Sequence, residues 1–216
     1  MKQKQILVFI EGEGGGRTTS KRGFLAGEFR KSWKQFLQPL ADHATNKGIR
    51  RFQCIAGRGG SAVTDTFANP LPKDQGALRI LIIDSEGPVA DVSKPWAALN
   101  PKKRPKWATD SDCYLMVQCL EAWLLADRDG LKAHFDRTKT CFNEKKLKKW
   151  PNLEALDRKT VQRAISDATS SCKNPYGHAD GNVLIAIVDR EKLKSLPAVT
   201  RLFRDFANRI DRYAQE

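Results

Sequence analysis

One pattern occurs twice in this chain and strongly limits how it folds: a short apolar run, then carboxylates, then glycine. The first copy is QILVFIEGEGGG at residues 5–16, and the second is ALRILIIDSEGP at residues 77–88. Brief runs rich in Ile, Leu and Val that end at glycine are typical of buried β-strands. The chain therefore has two buried strands that each lead directly into acidic side chains, Glu11 in the first and Asp84 and Glu86 in the second.

The segments between and after these strands predict an α/β fold. Apolar residues at spacings of three and four predict helices at 22–46, 61–68, 112–126 and 156–168, with another after Leu196. A further strand is expected at 50–56, while 182–189 fits either a last strand or a buried helical turn. Strands alternating with helices indicate a mostly parallel sheet with helices on both faces. We expect one domain, 1–216, with a core over about 1–130 and a helical C-terminal elaboration over about 131–216.

The acidic residues after the two strands predict a metal site. Parallel strands joined by right-handed crossovers bring their carboxyl ends to one edge of the sheet, so Glu11, Asp84 and Glu86 would converge. Carboxylate oxygens suit a hard divalent cation such as Mg²⁺ or Mn²⁺. The alternative is that these acids are ordinary turn and helix-cap residues.

Two other features near these strands have open interpretations. The glycine loop after Glu11 could bind phosphate through its backbone N–H groups, but Arg17 stands where a dinucleotide motif needs its last glycine. Glu121 lies within an apolar helical stretch, and helix periodicity alone favours a position on the solvent side of that stretch.

Charge indicates a polyanionic partner. The formal net charge is +13, and basic residues cluster at 102–106, before Trp107, and at 145–149, before Trp150. Such clusters bind nucleic-acid phosphates, with the tryptophans available for stacking, although most lysine runs are simply solvated faces. The five cysteines show no C-x-x-C pair and are expected to be reduced thiols of a cytoplasmic protein. No apolar run approaches the roughly 20 residues of a membrane span.

Several segments together resemble a bacterial TOPRIM-like family of unknown function. They are IEGEG at 10–14, IDSEGP at 83–88 and, most specifically, MVQCLEAWLLAD at 116–127. The late segment 176–189 and the helix at 196–206 are similar to the C-terminal part of that family. The family is related to nuclease domains of the overcoming-lysogenisation-defect class found in phage-defence systems.

The resemblance implies a TOPRIM-like fold that binds Mg²⁺ for phosphoryl transfer. Glu11 and Asp84 match the family's first two acidic positions, and Glu86 stands where the family has a second aspartate. The related nucleases add a carboxylate from a helix, which implies that Glu121 faces the site rather than solvent. The resemblance also implies an ATPase partner protein and a role as an antiviral effector.

The sequence thus predicts a metal-dependent nuclease that hydrolyses RNA or DNA, with four residues as both metal ligands and catalytic groups: Glu11, Asp84, Glu86 and Glu121. Nucleic acid would be bound by a second set: Arg58, Lys102, Lys103, Arg104 and Lys106. Accessory roles are expected for a third set: Glu13, Lys173, Tyr176 and His178. The alternatives are a TOPRIM-like module that binds nucleic acid or an ATPase without cutting, and a phosphate-ester hydrolase acting on small molecules. The sequence leaves the oligomeric state open.

Overall fold

The computed structural model describes residues 3–12, 19–57, 59–69, 71–99, 102, 104–136, 141–177 and 180–216, with the backbone alone for 19–26 and for residue 73. In this part of the chain, strands and helices alternate first and helices follow. Their order is β1 (Gln5–Glu11), α1 (Thr19–Phe36), α2 (Gln38–Asn46), β2 (Arg51–Gly57), α3 (Gly59–Ala68), β3 (Leu78–Asp84), α4 (Pro95–Ala98), β4 (Cys113–Met116), α5 (Glu121–Ala126), α6 (Arg128–Phe135), α7 (Arg158–Thr169), α8 (Gly181–Leu184) and α9 (Pro197–Gln215).

The four strands form one parallel sheet in the order β2-β1-β3-β4. In the register, Glu11 lies opposite Gly57 of β2, and Asp84 lies opposite Met116 of β4. The predicted parallel sheet is therefore confirmed. Because every strand runs the same way, Glu11 and Asp84 reach the same edge of the sheet.

Apolar side chains alternate between two hydrophobic cores, one on each face of the sheet. On β1, Ile6, Val8 and Ile10 enter the larger core, whereas Leu7 and Phe9 enter the smaller one. The larger core also contains residues of α1, α2, α7 and α9, and the smaller one contains residues of α3 and α4. This two-residue alternation explains why the strands read as continuously apolar: both faces are covered by helices.

The predicted helix at 112–126 is wrong over its first half. Residues 113–116 form β4, which pairs with β3 from Cys113 opposite Leu81 onward. After β4, Gln118 has a left-handed backbone with φ of 61°, and the helix begins only at Glu121. A fully apolar run fits a buried strand as well as a helix, and pairing with β3 decides between them.

The predicted helix at 22–46 is two helices, α1 and α2, which meet at Leu37. Pro39 in the first turn of α2 lacks an N–H group, so it begins a helix more readily than it continues one. Gly48 has a φ of 81°, as expected for the predicted cap. The open choice at 182–189 is resolved as helical, with α8 followed by a one-turn 3₁₀ helix at Ile185–Ile187.

The cysteines differ from expectation. Cys141 and Cys172 form a disulfide, while Cys54, Cys113 and Cys119 are buried free thiols. The prediction that all five are reduced is therefore wrong for one pair. The pairing depends on α7 bringing the two residues together across 31 positions of sequence, which spacing patterns do not encode. Among the described helices, none is long and apolar enough to cross a membrane.

Candidate active site

Four acidic side chains line one small cavity at the carboxyl edge of the sheet. The cavity has a volume of about 170 Å³, and its acidic residues are Glu11, Asp84, Glu86 and Glu121. Two come from adjacent strands, one from the turn after β3 and one from α5. The structure therefore brings together all four residues that were predicted as metal ligands.

Glu11 is held in place by the backbone. Its Oε2 accepts a hydrogen bond of 3.1 Å from the N–H of Asp84, and the N–H of Gly60 at the start of α3 also interacts with the carboxylate. Burial raises the pKa of Glu11, and these N–H groups oppose that rise. The strand end and the helix start together fix where this carboxylate lies.

Asp84 is held in place against an electrostatic cost. Burial raises its pKa well above the ordinary value, and the negative charges of Glu11 and Glu121 raise it further. Its Oδ1 atom is buried and has no hydrogen-bond partner among the described residues. A buried carboxylate oxygen without a partner is costly, and a bound cation would relieve that cost.

Glu121 points into the protein, so the solvent-side alternative from helix periodicity is wrong. It is only 2% exposed, and its Oε1 accepts hydrogen bonds from the Tyr176 hydroxyl at 2.9 Å and from Gln162 Nε2 at 3.1 Å. As the first residue of α5, it projects from the end of the segment that follows β4. Both donors lie more than 40 positions further along the chain, so local periodicity could not reveal them.

Glu86 differs from the other three acids. Its side chain is 69% exposed, and its Oε1 lies 3.8 Å from Nη1 of Arg158. Its backbone is left-handed, with φ of 55°, a conformation that costs a non-glycine residue roughly 1–2 kcal/mol. The neighbouring Ser85 hydroxyl donates to the Gly87 carbonyl and accepts from the N–H of Gln118, so the turns after β3 and β4 hold each other. Such local strain is often found at functional sites.

Two polar residues of the cavity were not predicted from the sequence, Arg158 and Asn182. Arg158 opens α7 directly after the capping residue Asp157, whose side chain accepts from the N–H of Thr160. That capping pattern could have located the start of the helix, but nothing in the sequence linked Arg158 to the cavity. Asn182 accepts from the indole Nε1 of Trp33 at 3.0 Å, a contact across 149 positions.

Gly12 is required for space rather than for backbone freedom. A Cβ at this position would lie 2.6 Å from Cε2 of Phe29 and 2.7 Å from both amide atoms of Asn182. Any side chain here would push Asn182 or Phe29 away from the cavity wall. The first glycine after Glu11 therefore lets the end of β1 approach the late segment closely.

Apart from Tyr176, the remaining predicted residues lie away from the cavity or outside the described residues. Tyr176 contacts Glu121, but the exposed Lys173 does not line the cavity. Lys102, Arg104 and Lys106 are also exposed and do not line it. Trp107 is 43% exposed, and one face of its ring is taken by the Arg79 guanidinium, 3.8 Å from the ring centroid. Four predicted residues are outside the described part of the chain: Glu13, Arg58, Lys103 and His178.

A second cavity of about 340 Å³ adjoins the first. Both are lined by Glu11, Asp84 and Glu86, so the acids stand between two open spaces. The second space is walled by Ser61 and Thr64 of α3 and by the segment around Trp96. A chain-like substrate could therefore extend to either side of the acids.

A separate groove, the basic groove, lies beside the disulfide. Its volume is about 730 Å³, and its cationic lining residues are Arg128, Lys132, Lys145 and Lys149. Arg128 is anchored by donating to the Leu147 carbonyl at 3.1 Å, and Lys132 pairs with Glu144 at 2.9 Å. The lysine cluster at 145–149 thus contributes to an open cationic surface.

The acidic cavity fits a divalent cation by its chemistry, but the carboxylates do not already form a compact metal cluster. Within the described ranges, no group of three or more His, Cys, Asp or Glu side chains is arranged to hold an ion. The donors are nevertheless all oxygen, which Mg²⁺ and Mn²⁺ prefer. The pKa of Glu11 and of Asp84 is raised, first by burial and then by neighbouring acids, and Asp84 Oδ1 has no partner among the described residues; a bound cation would relieve both costs.

Comparison with known proteins finds no matching family model, no similar curated protein and no similar solved structure. The resemblance to a TOPRIM-like family therefore stays a prediction. A functional assignment for this protein depends on the chemistry of the acidic cavity and of the surfaces around it.

Proposed function

We propose that this protein is a metal-dependent nuclease that hydrolyses phosphodiester bonds of RNA or DNA. One observation carries the proposal: the half-buried carboxylates of Glu11 and Asp84 and the buried carboxylate of Glu121 line one cavity, and one Asp84 oxygen has no partner among the described residues. Buried acids that raise one another's pKa are costly to keep, and such groups concentrate at functional sites. In a chain with a net charge of +13, the natural substrate for such a site is a polyanion.

Glu11, Asp84 and Glu121 would hold the metal, and Glu86 would complete the set only by leaving Arg158. When bound, Mg²⁺ or Mn²⁺ would activate a water molecule and neutralise charge that builds up on the phosphoryl group. The protein's own contribution is positional. Backbone N–H groups fix Glu11, while Tyr176 and Gln162 orient Glu121. Preset acids of this kind need little rearrangement when the substrate arrives.

The exposed basic residues would attract and align the substrate. The described members of the predicted nucleic-acid set, Lys102, Arg104 and Lys106, are exposed, and the basic groove adds a second cationic surface. An ATPase partner and an antiviral role are further parts of the proposal that depend on the TOPRIM-like resemblance alone. A cytoplasmic location also stays a proposal: three buried free thiols fit it, whereas the disulfide is of a kind more common in oxidising compartments.

The test is cleavage of RNA and of plasmid DNA by the wild type and by Glu11→Gln, with and without Mg²⁺ or Mn²⁺. We expect wild-type cleavage that requires the metal, and at least a 100-fold loss in the variant, because an amide is a poor ligand for a hard cation. The exposed Asp65→Asn on α3 serves as a control and should retain full activity. Equal cleavage by the wild type and Glu11→Gln would contradict the proposal.

A non-catalytic binding module is the second candidate, favoured by the absence of a formed metal cluster in the described part of the chain. It predicts nucleic-acid binding that weakens with salt but does not change with divalent metal or with Asp84→Asn. Binding assays in EDTA and in Mg²⁺, run beside the cleavage assay, separate the two candidates.

A further inference from the structure

The acidic cavity also contains two hydrogen-bond donors whose role the carboxylates do not explain. Arg158 is the single cationic side chain among its described lining residues, and Asn182 is the single amide. A metal site made of carboxylates needs neither of them. Their position beside the acids is where a second, anionic ligand would lie.

Arg158 already binds an oxyanion in this structure. Its Nη1 lies 3.8 Å from Oε1 of Glu86, and its charge opposes the rise in pKa of Glu11 and Asp84. A guanidinium group at 35% side-chain exposure is reachable from solvent, and its planar donors match carboxylate and phosphate oxygens alike. Glu86 is a weak occupant because an ion pair with a largely exposed side chain contributes little.

The orientation of the Asn182 amide is fixed by a buried tryptophan. Trp33 is fully buried, and its indole can only donate, so the amide oxygen of Asn182 must face it. The Nδ2 group is then directed elsewhere, and no described residue accepts a hydrogen bond from it. Because the amide packs against Gly12, it cannot swing toward β1. Asn182 therefore presents a fixed donor at the cavity wall.

We propose that Arg158 and Asn182 form a subsite for one phosphoryl group of a nucleic-acid backbone, and that Glu86 occupies Arg158 while the subsite is empty. This inference rests on the proposed function, since it places the substrate phosphate against the acids. An incoming phosphate would displace the exposed Glu86 side chain from Arg158. The displaced carboxylate is then released to join Glu11, Asp84 and Glu121, so substrate binding and completion of the acidic set are one event.

The direct test is a titration with inorganic phosphate in EDTA at low salt, followed by ³¹P NMR. Arg158→Gln should weaken phosphate binding at least tenfold, and Arg158→Lys should weaken it less because the charge remains while the paired donors are lost. Asn182→Asp should also weaken it, because a donor becomes a negative acceptor. The matched control is Arg163→Gln on the same helix, whose arginine is 83% exposed and pairs with Asp167.

Glu86→Gln gives the sharpest result. If Glu86 competes with phosphate for Arg158, neutralising it should strengthen phosphate binding several-fold. A role for Glu86 as a metal ligand alone predicts no change in EDTA. Weaker or unchanged binding in Glu86→Gln, or equal binding in Arg158→Gln and Arg163→Gln, would overturn the proposed subsite. Thermal unfolding of each variant checks that it is folded. If Arg158→Gln does not fold, phosphate binding by Arg158→Lys tests the subsite instead.

The subsite and the nuclease activity can fail separately. If wild type cleaves nucleic acid but Arg158→Gln matches Arg163→Gln in phosphate binding and in KM, the subsite is wrong and the nuclease stands. If phosphate binding depends on Arg158 while no metal supports cleavage, the subsite stands and the nuclease is wrong. If both hold, Arg158→Gln should raise KM more than it lowers kcat.

Discussion

The acidic cavity and the basic groove hold charge in opposite ways. The cavity is small, about 170 Å³, and two of its acids are held by specific donors: the Asp84 N–H for Glu11, and Tyr176 with Gln162 for Glu121. The groove is open, about 730 Å³, and the ion pair at its edge, Lys132 with Glu144, joins side chains that are 49% and 57% exposed. Burying charge is expensive, whereas exposed charge costs little and contributes little to stability.

This difference separates two tasks. Fixed, buried acids act on one chemical group at one position, so a single substitution should remove their effect. Exposed lysines act through their summed electric field. Each one should therefore contribute little to binding, and salt should weaken the contribution of all of them together. Under the proposed function, the basic groove would increase the encounter rate with a polyanion, and the acidic cavity would act on one of its phosphodiester bonds.

The largest effect is expected from neutralising Asp84. Asp84→Asn keeps the shape of the side chain but removes the charge beside Glu11 and Glu121, and we expect at least a 100-fold loss of metal-dependent cleavage. The exposed Asp65→Asn should be indistinguishable from wild type. Cleavage rates under single-turnover conditions measure both, and full activity in Asp84→Asn would place the chemistry elsewhere.

A smaller effect is expected from removing the hydroxyl that orients Glu121. In Tyr176→Phe, Glu121 loses a 2.9 Å hydrogen bond while staying buried, which should cost roughly 1.5–3 kcal/mol of unfolding free energy and lower cleavage about tenfold. The control is Tyr114→Phe, because that buried tyrosine donates to the carbonyl of Ser111, away from the cavity.

Urea denaturation and cleavage assays on both tyrosine variants make the comparison. Tyr114→Phe should lose about 1 kcal/mol and keep its activity. If the two variants lose activity equally, Tyr176 supports the fold in general and does not specifically position Glu121.

The parts of this site that sequence reasoning located are those set by short-range rules. Glu11 and Asp84 were placed at one edge because each follows a short apolar strand, and because strands joined by helical crossovers run parallel. Glu121 entered only through a resemblance, since its helical periodicity indicated solvent. Its actual burial depends on Tyr176 and Gln162, which no periodicity connects to it.

The parts that sequence reasoning missed depend on long-range packing. Arg158 and Asn182 come from segments that the packing of the C-terminal helices brings to the sheet edge, and the disulfide also depends on long-range packing. The segment that forms β4 was assigned to a helix because apolar residues across 112–126 recur at spacings of three and four, and only its pairing with β3 shows that its first part is a strand.

In the absence of metal, Asp84→Asn is expected to stabilise the fold. In EDTA the variant should be more stable than wild type by about 1–3 kcal/mol at pH 7, because a buried carboxylate with a partnerless oxygen is replaced by a neutral amide. Because the pKa values of Asp84 and Glu11 are raised in the folded state, folded wild type binds more protons than the unfolded chain. Wild-type stability contributed by Asp84 and Glu11 is therefore present below their ordinary pKa values, 3.8 and 4.5, and is lost as pH rises through the raised ones.

Denaturation in EDTA, from below the ordinary pKa values up to pH 7, checks the direction in which stability changes with pH. The free energy of unfolding should fall more steeply with rising pH in wild type than in Asp84→Asn, and adding Mg²⁺ should stabilise wild type more than the variant. A variant that is less stable than wild type in EDTA at pH 7 would show that Asp84 is not held against an electrostatic cost.

The smallest effect is expected in the basic groove. Replacing Lys145 and Lys149 with glutamine removes two exposed charges, so single-strand binding should weaken by only a few-fold at low salt, and kcat should not change. The informative quantity is the salt dependence. If both lysines contact phosphates, the slope of log affinity against log salt should become shallower by about 1.4, or about 1.8 for duplex DNA.

Lys31→Gln with Lys34→Gln is the matched control, because it removes the same charge from exposed positions of α1. Long-range attraction by net charge alone would change both double variants equally, whereas direct phosphate contact in the groove changes only the first. Equal slopes would therefore remove the basic groove from the binding surface, and the exposed residues Lys102, Arg104 and Lys106 would be the next to test. Neither result would alter the expected loss in Asp84→Asn, because that effect depends on charge buried in the acidic cavity.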